Sequence, residues 1–186
     1  LPDGALHRLG DGRLVASAQS RLLAMDTAAR YLVTSDNRGH ATVWDANSGL
    51  GLRRLTLGRG RQRLLAIAAD ANRVLAIDYN RQLTAHALDT GKKLFARKLG
   101  GHRFNRAAFS RDARYLVAYQ SDRRLIVYDT VAHKTLARTP ADKKIYWHVV
   151  AISPDGRWIA GFQHGRAGRV WAVDNVKRHF DLPAGS

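Results

Sequence analysis

The stretch Arg30-Tyr31-Leu32-Val33-Thr34-Ser35-Asp36-Asn37-Arg38-Gly39-His40-Ala41-Thr42-Val43-Trp44-Asp45 decides the fold. Two apolar runs flank Asp36-Asn37-Arg38-Gly39, residue types that favour tight turns. Working outward, Leu22-Leu23-Ala24-Met25 is a preceding apolar strand, and Asp26-Thr27-Ala28-Ala29 turns the chain. Asn47-Ser48-Gly49 turns it again before Leu52-Arg53-Arg54-Leu55-Thr56-Leu57. That last run alternates apolar and polar residues, as a half-buried outer strand does. The unit is thus four short strands joined by short turns.

The unit recurs along the chain. Turn arginines fall at Arg30, Arg73, Arg114 and Arg157, spaced 43, 41 and 43. Aspartates after the third strand fall at Asp45, Asp89, Asp129 and Asp174, spaced 44, 40 and 45. Further strands are predicted over 64–67, 74–77, 83–88 and 93–99, then 106–109, 115–119, 125–128 and 135–138, then 148–152, 158–162, 169–173 and 177–182. The inner strands are apolar on both faces, as strands packed between sheets require. No run of helical length carries an apolar stripe. Repeats of about 40–45 residues with four strands each predict an all-β fold, a β-propeller of four-stranded blades.

The repeats resemble those of the WD40 family. Trp44-Asp45 matches the family's aromatic-Asp pair, and Tyr128-Asp129 is a variant of it. Ser153-Pro154-Asp155-Gly156-Arg157-Trp158 is similar to the turn after the innermost strand, and Ser110-Arg111-Asp112-Ala113-Arg114-Tyr115 is a weaker copy. Gly101-His102 lies 26 residues before Tyr128, where the family has its Gly-His pair. The resemblance implies a hydrogen-bonded network, carried over only in part. The third unit offers His102 and Asp122 with Tyr128, and the first offers Trp44 and Ser35. In the second, Leu88 stands where the aromatic belongs, and in the fourth Trp171 appears offset from Asp174. The repeats are degenerate, of a bacterial type.

Blades are expected at 21–58, 64–100, 104–139 and 147–182, with 1–20 as the last two strands of a preceding blade. That gives about four and a half blades, a single partial propeller domain. The chain is a processed or excised piece on this reading, since it starts at Leu1 without a visible signal peptide. Three resolutions stay open: a fragment of a longer propeller, two copies completing one ring, or a small closed ring or capped arc. An open end would expose an apolar face.

Composition narrows the chemistry. The 186 residues carry 31 Lys plus Arg against 15 acids, a formal charge of +16. Every acid is Asp, 24 of the basic residues are Arg, and there is no Cys. Disulfides, thiolate metal sites and Glu-based acid–base pairs are therefore excluded. The lack of Cys fits the cytoplasm and the periplasm equally. No run approaches the length of a membrane-spanning helix. His7, His40, His86, His102, His133, His148, His164 and His179 show no metal-ligand spacing and read as turn or surface residues. Gly58-Arg59-Gly60-Arg61 and Gly165-Arg166-Ala167-Gly168-Arg169 are Gly-rich, but no helix follows them to cradle a phosphate. No catalytic, cofactor or metal site is legible.

Basic residues do cluster. Arg53, Arg54, Arg59, Arg61 and Arg63 span an outer strand and the loop beyond it; Arg103 and Arg106, then Lys143 and Lys144, occupy the corresponding loops of the next blades. In a propeller these would form an arc on one rim, suited to phosphate or carboxylate. The residues expected to hold the repeat are Trp44, Asp45, His102, Asp122, Tyr128, Asp129, Asp155 and Trp171. The WD40 resemblance implies a non-enzymatic scaffold for protein–protein assembly, its partner another protein, the rest of its own chain or a second copy. The alternative is a module binding nucleic acid or another polyanion through the basic rim. A ligand-binding or hydrolytic propeller with a site at its central channel ranks behind both.

Overall fold

A computed structural model describes residues 22–26, 28–163 and 167–183. These form an all-β structure of four four-stranded antiparallel sheets. The first sheet holds β1 (Leu22–Met25), β2 (Tyr31–Ser35), β3 (His40–Asp45) and β4 (Gly51–Thr56). The second holds β5 (Gln62–Ala68), β6 (Arg73–Asp78), β7 (Gln82–Ala87) and β8 (Lys93–Lys98). The third holds β9 (Phe104–Phe109), β10 (Tyr115–Gln120), β11 (Leu125–Asp129) and β12 (Lys134–Arg138). The fourth holds β13 (Val149–Ile152), β14 (Trp158–Phe162), β15 (Gly168–Ala172) and β16 (His179–Leu182). In every sheet the strands neighbour one another in chain order. All sixteen strands expected over 21–182 are present, with ends shifted by no more than two residues. The extra half-repeat expected over 1–20 lies outside the described residues, as do His7 and His164.

One hydrogen bond repeats in each sheet and fixes the true register. The amides of Ala46, Leu88, Thr130 and Val173 donate to the carbonyls of Arg30, Asn72, Arg114 and Arg157. Successive donors are therefore 42, 42 and 43 residues apart. Two equivalences read from the sequence change. Asn72, not Arg73, is the counterpart of Arg30; Arg73 falls where the other sheets place Tyr31, Tyr115 and Trp158. Asp89 and Asp174 lie two positions beyond the counterparts of Asp45 and Asp129, which are Ala87 and Ala172. The same register puts His86 at the third-strand position of Trp44, Tyr128 and Trp171. Leu88 is not the missing aromatic, and Trp171 is not offset.

Burial concentrates in the two middle strands of each sheet. Every residue of β11 is buried, as are all but the first of β7 and of β10. The outer strands β4, β8, β12 and β16 are mostly exposed. The first strands β9 and β13 are only partly buried, less than their apolar composition predicts.

The described chain forms two compact units. One holds the described residues up to Asp78 with Thr84–Ala96; the other holds Tyr79–Leu83 with the described residues from Arg97 onward. The core of the first sets Val33, Ala41, Val43 and Leu55 against Leu65, Ile67, Val74 and Ala76. The core of the second sets Val117, Tyr119, Leu125 and Val127 against Trp147, Val150, Ile159 and Trp171. Burying each large apolar side chain contributes about 1.5–3 kcal/mol. Trp147 and Trp171 meet edge to face at 5.2 Å, a favoured aromatic geometry.

Candidate functional site

The repeat residues do structural work. The buried Trp44 indole donates to Thr34 Oγ1 at 2.9 Å. The partner is Thr34, not Ser35, whose buried hydroxyl has no hydrogen-bond partner. Thr34 lies on the same face as Trp44, and Ser35 lies on the other, because side chains alternate along a strand. Asp45 accepts from the Ser48 amide and hydroxyl, and Asp129 from the Val131 and Ala132 amides. Asp155 accepts from the Ser153 hydroxyl and the Arg157 amide. Burial alone would raise the Asp129 carboxyl, but those two amides and Arg114 outweigh it and hold the pKa below its ordinary value. Asp155 is also held low, first by the Ser153 hydroxyl.

His86 departs most from the expectation of a turn or surface histidine. It is 3% exposed, inside β7. Its ring donates one hydrogen bond to the Thr56 backbone carbonyl, while Nδ1 is buried without a partner. Ala76 occupies the position that Thr34 holds in the first sheet, so no hydroxyl stands at that position of the second sheet. Burial pushes its pKa down.

The basic residues divide between the two units. In the first, Arg53 is half-buried and its Nε is shut from water without a partner. Arg54 is exposed, 4.0 Å from Asp36. Arg59 and Arg61 are exposed beyond β4, and Arg63 is half-buried in β5. Asp36 is already engaged by the amides of Arg38 and His40 and by the His40 ring.

In the second unit three loops converge. The Ser121 amide donates to the Arg103 carbonyl, and the Asp142 amide lies 3.4 Å from the Arg123 carbonyl. These bonds join the segment before β9, the β10–β11 turn and the segment before β13. Tyr146 sits among them, with Arg106 5.9 Å and Arg123 5.1 Å from its ring centroid. Arg106 Nε donates to the His148 carbonyl at 2.7 Å, and the His148 ring meets Tyr146 at 5.1 Å. Arg123 Nη1 lies 3.5 Å from the Tyr119 hydroxyl, which donates to the Ile145 carbonyl. Lys143 and Lys144 are exposed beside this group.

Arg103, Arg106, Lys143 and Lys144 thus stand on loops joined by backbone hydrogen bonds, with His102, Arg123 and Arg124, which the sequence reading did not single out as contact residues, on the same loops. The acids among them are engaged. Asp122 lies 3.7 Å from His102 Nε2 and 3.5 Å from Arg124 Nε, and Asp142 accepts from the Lys144 amide. The signal for Arg123 was the repeat itself. It stands 42 residues after Arg81 and 84 after Gly39, and all three have positive φ, +67°, +67° and +89°. This is the tip of the turn between the second and third strands, where a side chain projects from the sheet end.

Arg106 also donates Nη1 to the Asn105 carbonyl at 2.8 Å, so both arginines stay charged beside the tyrosine ring while part of each guanidinium is engaged within the chain. Among the described residues no His and Asp side chains cluster as metal ligands, and no helix is long and apolar enough to cross a membrane. No protein-family model matches the chain, and no curated protein matches it.

Proposed function

We propose that the chain is a WD40-type propeller segment that acts as a non-enzymatic scaffold. Its contact surface is the basic rim around Tyr146, and it takes an acidic segment of a partner protein. The carrying observation is that Arg106 and Arg123 flank Tyr146 and that His102 and Arg124 hold Asp122, while exposed Arg103, Lys143 and Lys144 stand on the same joined loops. The propeller assignment draws support from four sheets of one topology repeating at 42, 42 and 43 residues, with Trp44, His86, Tyr128 and Trp171 at one shared position. The Trp44–Thr34 bond and the His102–Asp122 pair fit the family's polar network, in degenerate form.

The test is fluorescence anisotropy with a labelled acidic peptide. Saturable binding is expected, and R106Q/R123Q/K143Q/K144Q should abolish it while circular dichroism stays unchanged. Binding of the parent and the variant with equal affinity would refute the assignment.

A second reading, polyanion binding, is favoured by one observation. Tyr146 and His148 supply rings between arginines, the combination on which single-stranded bases stack. It requires that an oligonucleotide bind more tightly than the peptide, with an affinity that falls steeply as salt rises.

A further inference from the structure

A second basic feature of the second unit has no part in that rim. Arg97, Lys98 and Arg138 line one cleft of about 430 Å³, with Gly100 at its edge and Ile126 and Tyr128 in its wall. No carboxylate lines it, and none of the three cations pairs with an aspartate among the described residues. The contrast with the neighbouring cleft, lined by Asp155, Arg157, Asp174 and Arg178, is direct. There each arginine has its aspartate, Arg157 at 3.3 Å from Asp155 and Arg178 at 3.3 Å from Asp174. Exposed cations without a carboxylate partner leave a positive potential at the cleft, which attracts an anion.

The form of the cleft narrows the anion. Arg97 and Arg138 present planar forks that match an oxyanion through paired N–H donors, whereas Lys98, the next residue of β8, projects to the other face. Ile126 and Tyr128 are buried, 3% and 7% exposed, and give the cleft an apolar wall. Burial pushes the Tyr128 phenol pKa up, against the pull of Arg97, so the wall carries no negative charge of its own. The volume falls in the range of small-molecule sites, about 300–1,000 Å³, and leaves room beside one oxyanion group.

We propose that this cleft binds a small organic phosphate monoester, its dianion held by Arg97 and Arg138 and its organic part laid against Tyr128 and Ile126. The proposal is independent of the Tyr146 rim, with which it shares no side chain.

The test is isothermal titration of the full chain, at constant ionic strength, with phenyl phosphate, inorganic phosphate and benzoate as probes. Phenyl phosphate should bind most tightly, and R97Q and R138Q should each weaken it about tenfold or more, the scale of losing one charge-assisted pair. R106Q, on the Tyr146 rim, should leave that affinity unchanged. All three substitutions are at exposed positions, and broadening of the phenyl phosphate ³¹P resonance by the protein gives a second readout. The proposal is overturned if phenyl phosphate binds no more tightly than inorganic phosphate or benzoate, or if R97Q and R138Q bind it as the parent does.

Discussion

Single side chains carry both the stability and the pH response of the repeat. Thr34 is the only acceptor for the buried Trp44 indole, so Thr34→Val should cost about 1–2 kcal/mol, the scale of orphaning a buried donor. The shift of the urea midpoint measures it. His86 sets a distinct pH limb. Its folded pKa lies below the ordinary 6.5, so the unfolded chain takes up a proton that the folded chain refuses. Stability is therefore full above pH 6.5 and falls as pH drops through the folded value. The turn carboxylates Asp129 and Asp155, held below 3.8, begin to lose their contribution only at lower pH. His86→Phe, which keeps an aromatic where other sheets have Trp44 and Tyr128, should flatten urea midpoints between about pH 7 and about pH 5. Arg123 couples stability to function. Its φ of +67° suits glycine better than arginine, so Arg123→Gly should stabilise by up to about 1 kcal/mol while weakening acidic-peptide binding. A loss of both, in the same urea and anisotropy measurements, would contradict the role given to this side chain.

At the scale of the element, the strands were legible and their exact register was not. Apolar alternation and turn residues are local, and they placed every strand end to within two residues. Arg73, Asp89 and Asp174 misled because Arg and Asp are abundant in this chain, so near-matches at the repeat spacing arise beside the true counterparts Asn72, Ala87 and Ala172. Backbone hydrogen bonds set register without regard to side-chain identity, and here they outrank the motif. Packing adds a constraint that the sequence conceals. A Cβ at Gly161 would lie 2.6 Å from the ring of buried Trp147. Gly161→Ala should therefore destabilise the second unit by about 1–3 kcal/mol through overpacking. Loss of near-ultraviolet dichroism from the Trp147–Trp171 pair at lower denaturant would report it.

At the scale of the whole molecule, one patch of exposed apolar surface is open to test. Val149, Trp158, Phe162 and Phe180 share one face of the fourth sheet and are 58%, 37%, 39% and 49% exposed. Trp158 and Phe180 already meet edge to face at 6.0 Å. An exposed patch of this kind binds hydrophobic dyes. The native protein should enhance the fluorescence of 8-anilinonaphthalene-1-sulfonate, and F162S/F180S should reduce that enhancement at unchanged far-ultraviolet dichroism. The candidate rim was half legible. Arg103, Arg106, Lys143 and Lys144 were readable as charges in equivalent loops, whereas Arg123 was signalled only by its repeat position, 42 residues after Arg81, and its turn conformation is a property of the backbone. The sequence by itself pointed to an all-β fold of repeated four-stranded units and excluded thiol and Glu chemistry, because those follow from composition and from neighbours in the chain. Only the tertiary structure decided which arginines face an aromatic ring, which lack a counter-ion, and that His86 is buried. Those properties depend on distances between residues far apart in sequence, which local pattern does not encode.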